Sequence, residues 1–360
     1  MSDHALSFTV PREVRHRAGT LVLAAVASAF VVVADSWLFG RALLEKGAPD
    51  FGVSGALRTV VCMMLAFLFY RSFKPDTMRS LAVDSASREQ TLVLAYGVCV
   101  LTVMIASMTT VLLAPQILNS IVRENQPVGY LTDAVLAGAV VLLVCAAAAA
   151  ARGRRAPILG VPPAVVCGGM ALVVFVLLME EMSWGQHLVG WEAGDLFEGN
   201  AQEETNLHNF YTYQFEAVYY TVAFAAFVVL PWAWLAGLSR VLPTAAIFVP
   251  PWYFALAACP VAGFLYEEWN LVPYQVWFAG ALLIALHLTS ASEREATMQR
   301  LGMAVVAVMV VAQLAFLANG HEMLDGFELS EIRELVIAVS IAAYAMIVLG
   351  RFRERAAGRA

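Results

Sequence analysis

Apolar stretches long enough to cross a lipid bilayer recur along this chain, and they constrain its fold more than any other feature. A spanning helix needs about 20 mostly apolar residues. Ten stretches meet that need: 19–40, 55–72, 91–114, 131–151, 159–181, 214–237, 243–266, 273–290, 299–318 and 331–350. Inside hydrocarbon only helices and closed barrels satisfy every backbone N–H and C=O, and runs of this length suit helices. The expected fold class is therefore all-α: a polytopic integral membrane helix bundle of about ten transmembrane helices. Composition agrees, since 14% of the residues are charged and 61% hydrophobic, where soluble domains hold about 25% charged residues. Residues 1–360 read as a single transmembrane domain, with a polar insert at 180–213 between the fifth and sixth spans. The first stretch follows Arg12, Arg15 and Arg17 but is too long for a signal-peptide core, so it reads as an uncleaved span. Pro250-Pro251 falls inside the seventh stretch, where it is able to break a helix.

Basic residues set the expected orientation, because cytoplasmic loops collect Lys and Arg. With the N-terminus inside, every even-numbered span delivers the chain to a basic segment. All of the 22 Lys and Arg then lie inside except Arg41, Lys46, Arg58, Arg123 and Arg333. Ten spans place both termini in the cytoplasm and the 180–213 insert on the extracytoplasmic side of a plasma (inner) membrane. Acids show the opposite bias. They follow the fifth span (Glu180, Glu181, Glu203, Glu204), the seventh (Glu267, Glu268) and the ninth (Glu322, Asp325). No compact basic domain with interleaved aromatics is present, so nucleic acid is not an expected partner. Membrane lipid is. The five cysteines all lie in apolar runs without a CxxC, which argues against a disulfide framework.

The chemistry-bearing stretch is EEMSWGQHLVGWEAGDLFEGNAQEETNLHN, residues 180–209. If the fifth helix continues, Glu180, Ser183, Trp184 and His187 stack on one face, with Gly185 a possible break. Glu204 and His208 stand four apart, and Thr205 or Asn206 would cap the helix of span six. His321 and Asp325 repeat that spacing. Carboxylates and imidazoles serve proton transfer and metal binding. Glu180, Glu181, His187 and His208 are the expected catalytic groups. His187, His208, His321 and Glu180 are the expected ligands of a divalent metal such as zinc, with Glu204, Glu267, Glu268 and Asp325 supporting them. Asp35 is a further acid near the outer end of span one. The expected function is an outward-facing hydrolase or transferase acting on a lipid or lipid-linked substrate. A non-catalytic membrane subunit and a transporter of a small polar solute are the alternatives.

Overall fold

A computed structural model describes residues 12–40, 44, 46–75, 88–122, 126–153, 156–191, 194, 205–207, 210–292, 295–323 and 328–356. Among these residues the secondary structure is helical, apart from one isolated bridge between Ile158 and Val161. The helices are α1 (Arg12–Phe39), α2 (Val53–Phe73), α3 (Arg88–Leu113), the short α4 (Pro115–Val122), α5 (Pro127–Arg152) and α6 (Pro163–Glu181). Then come α7 (Thr212–Val241), α8 (Trp252–Ala262), α9 (Val272–Ala291), α10 (Ala296–Asn319) and α11 (Glu328–Ala356). Eight of these are long and apolar enough to cross a membrane, and α1 and α8 contribute shorter apolar helices. The chain is thus an all-α polytopic membrane bundle.

Lateral packing runs in the order α6, α5, α11, α3, α10, α9, α2, α1. In α11, 61% of the hydrophobic window is buried, against 28% in α2 and α5, which places α11 near the centre, while the other two leave most of their surface on the bundle's lipid-facing edge. Exposed leucines, valines and phenylalanines such as Val22, Phe30, Val141 and Leu172 cover that edge, as expected where hydrocarbon rather than water is the solvent. Proline shapes α7. Pro231 lacks an N–H and crowds the preceding turn, and widened π turns at Ala225–Val229 and Trp234–Leu238 flank it.

The seventh crossing departs from a continuous helix over 243–266. Pro250-Pro251 interrupts it, and α8 starts only at Trp252. At 1.5 Å per residue α8 covers about 16 Å, near half of a 30 Å hydrocarbon core. Pro260 sits in its tight last turn, and Gly263 then adopts extended backbone. Phe264 follows with φ 63, a left-handed conformation rare for a bulky residue. The chain nevertheless reaches the far end of the bundle. At one end Arg351 of α11 bonds the carbonyls of Ile247 (3.1 Å) and Val249 (2.7 Å). At the other end Glu268 meets Arg333 near the start of α11. Every residue from 252 to 266 is buried, the condition under which non-helical backbone is tolerated at membrane depth. Gln313 of α10 replaces the missing helical bonds. Its Oε1 accepts from the Leu265 N–H at 3.0 Å and its Nε2 donates to the Leu265 carbonyl.

Candidate functional site

Two polar constellations occupy the end of the bundle where α6 finishes, called here the acidic end. The first is the 180–191 insert. Helix α6 does not continue through His187, because Ser183 (φ 47), Trp184 (φ 54) and Gly185 (φ 86) turn the backbone left-handed. Two successive non-glycine residues in that region cost about 1–3 kcal/mol each and persist only where surroundings over-determine them. Those surroundings are visible. The buried Glu180 carboxylate accepts from Trp184 Nε1 (2.8 Å) and from the Leu207 N–H (2.8 Å). Asn206 Nδ2 donates to Ser183 Oγ at 3.0 Å. Gln186 Oε1 accepts from the Thr205 N–H at 2.6 Å, and Trp191 Nε1 lies 3.4 Å from Thr205 Oγ1. The returning segment of the insert, 205–207, is therefore clipped to the first turn after α6. Thr205 and Asn206 are not caps of α7, which begins at Thr212.

The second constellation surrounds the non-helical end of the seventh crossing, residues 263–266, and the tight turn Glu267–Asn270 that follows it. Glu268 is 3% exposed and accepts from Arg333 Nη2 at 3.0 Å. Lys46, from the connection between α1 and α2, lies 3.6 Å from the same carboxylate oxygen and also pairs with Glu216 of α7. The Arg333 guanidinium lies 4.3 Å over the Tyr220 ring and 5.4 Å from that of Tyr274. Its Nη2 also reaches the Phe264 carbonyl at 3.5 Å, while its Nε has no partner among the described residues. Tyr220 donates in turn to buried Glu334 (2.7 Å). Burial alone would raise the Glu268 pKa, but Arg333 and Lys46 outweigh it and hold the carboxyl below the ordinary range. Burial likewise opposes the Lys46 charge, and Glu268 and Glu216 outweigh it, holding the ammonium above its usual value.

A polar seam ties this cluster to α2. Asn270 Oδ1 accepts from the Asp50 N–H (2.8 Å), and its Nδ2 donates to the Ala48 carbonyl (2.6 Å). Gly47 N–H donates to the Glu267 carbonyl at 3.0 Å. Arg58 Nε donates to Asp35 at 2.6 Å, which gives that acid a partner inside the bundle. A Cβ on Gly55 would stand 1.8 Å from the Asp50 carbonyl oxygen, so only glycine permits this approach.

The expected site residues that the structure describes lie in different surroundings. Glu180 is a clasp residue, with Glu181 next to it and half-buried. The His187 backbone lies in the helical turn Gln186–Val189. His208, Glu204 and Asp325 lie outside the described residues. His321 is exposed beside Tyr266 and Leu314, in surroundings unlike those of Glu180. Glu267 contributes its backbone carbonyl, and Glu268 anchors the ion cluster rather than the histidines. Among the described residues no three His, Cys, Asp or Glu come together as a metal-binding group. Sequence reasoning did not select Lys46, Glu216, Arg333, Tyr220 or Tyr274. A signal for two of them was present: Lys46 and Arg333 stood among the few basic residues on the wrong side of the positive-inside pattern. Compared with known proteins, the chain matches no family model, no curated protein and no solved structure.

Proposed function

We propose that this chain is a membrane transporter for a small polar solute, gated at its acidic end by the Lys46, Glu216, Glu268 and Arg333 cluster. The observation that carries the reading is the interrupted seventh crossing, buried throughout 252–266, whose non-helical stretch 263–266 is held by neighbouring side chains instead of its own helix. Broken helices at membrane depth let backbone groups line a path, and they recur in alternating-access carriers. Ionisable residues enclosed by spanning helices point the same way. Glu268 bridges two cations from separate elements, so exchanging its partners would free the extended segment from α11 and from the α1–α2 connection.

Cys259, buried on α8 in the seventh crossing, is a built-in probe. A variant retaining only that cysteine is sealed in vesicles and exposed to a membrane-impermeant cationic thiol reagent from each side in turn. The transporter reading expects labelling from both sides, faster in Glu268→Gln. Protection from both sides in both proteins contradicts it. Labelling from the acidic end alone favours a second reading: an outward-facing hydrolase or transferase acting on a lipid or lipid-linked substrate. The left-handed Ser183 and Trp184 beside buried Glu180 support that alternative, because backbone strain of this kind clusters at active sites.

A further inference from the structure

A separate feature of the acidic end points to a ligand, independently of the transporter reading. An open hollow of about 500 Å³ lies between the end of α10 and the segment preceding α2, lined by Ala48, Pro49, Phe51, Tyr266, Leu314 and His321 among others. All of the six named except His321 are apolar or aromatic. We propose that it holds one acyl chain of a phospholipid, with the His321 imidazole at the level of the phosphate.

Three observations identify the occupant. Leu314 and Phe51 on the rim are 62% and 69% exposed. On the flank of a membrane-spanning bundle such residues are covered by hydrocarbon, so the hollow is continuous with the lipid-facing surface. His321 follows directly on the last turn of α10, where a spanning helix meets the headgroup layer, and a ring N–H there donates to a phosphodiester oxygen. The floor is fixed as well. Tyr266 is only 7% exposed and packs against Gly320, where an added Cβ would stand 2.3 Å from the tyrosine ring. A hollow with a rigid floor keeps its shape for a flexible chain, so less ordering is needed on binding.

The full chain in nanodiscs, with a phosphatidylcholine carrying a diazirine in one acyl chain, gives the test. After photolysis, label should map to Tyr266 although annular lipid does not reach it. Ala318→Trp, at an exposed position lining the hollow, should reduce Tyr266 labelling at least fivefold and leave lipid-facing Val141 unchanged. His321→Ala should lower it about twofold. Labelling of Val141 without Tyr266 in the wild type overturns the proposal. So does Tyr266 labelling that Ala318→Trp does not diminish.

Discussion

The insert clasp and the buried ion cluster sit at the same end of one bundle, yet they are built in opposite ways. The clasp joins Glu180, Ser183, Trp184 and Gln186 to 205–207, residues less than 30 positions apart. Its hydrogen bonds are short-range in sequence, and exposed Trp184, Trp191 and Leu207 rim it. The cluster joins Lys46, Glu216, Glu268 and Arg333 from four separate parts of the chain and shields them from solvent. Its connections close only when the whole bundle has assembled. Polar residues gathered in sequence thus form a local ornament on the bundle's end. Those scattered singly through apolar helices hold its most irregular crossing in place.

If that contrast is right, the largest single effect belongs to Arg333. Arg333→Leu leaves Glu268 charged, buried and short of its nearest cation, which costs about 3–5 kcal/mol. A sharp fall in thermal midpoint in detergent should follow, with loss of folded yield. The double variant Arg333→Leu, Glu268→Leu should recover most of it, because removing both partners leaves no uncompensated charge. A double variant as unstable as the single would break the pairing argument.

Next in size is Glu180→Gln. It weakens the two bonds to Trp184 and Leu207, a change of about 1–3 kcal/mol when the groups are buried. The loss should be local: protease cuts between 191 and 205 should accelerate while the global thermal midpoint moves little. A global collapse equal to that of Arg333→Leu would erase the distinction between the two regions.

The legibility of the molecule follows the same division. The apolar runs exposed nearly every helix, because a bilayer leaves the backbone few alternatives, and Pro250-Pro251 marked the break in the seventh. The acids after α6 were equally visible, but their continuation as a helix was not correct. A left-handed turn at Ser183–Gly185 carries no composition signature when two of its three residues are not glycine. The ion cluster escaped notice for a different reason. Lys46 and Arg333 are single cations separated by most of the chain, and only their exception to the charge rule set them apart.

A smaller effect comes from pH. Glu268 is held below its ordinary value, so its stabilisation is complete above the usual carboxylate pKa and disappears as pH falls through the lowered one. Lys46 is held above its ordinary value. Its share is complete below the usual lysine pKa and disappears as pH rises through the raised one. The part of the thermal midpoint that these two groups set should therefore be flat from about pH 5 to pH 10 and fall on both sides. Glu268→Gln should flatten the acid side, and parallel acid curves for the two proteins would remove Glu268 from the explanation. Smallest of all is Trp191→Phe, which gives up one long, exposed contact to Thr205. Its stability should change by under about 0.5 kcal/mol in a thermal melt.

Amide hydrogen exchange over residues 263–271 tests the account's central claim most directly, because the first four residues of that segment, 263–266, lie outside any helix and lean on Gln313 and Arg333. In nanodiscs its amides should exchange faster than those of 336–345 in α11, although both are buried, and Glu268→Gln should accelerate 263–271 selectively. Protection in 263–271 equal to that of α11, and unchanged by Glu268→Gln, would mean that the broken crossing is a rigid part of the scaffold and that the ion cluster does not gate it.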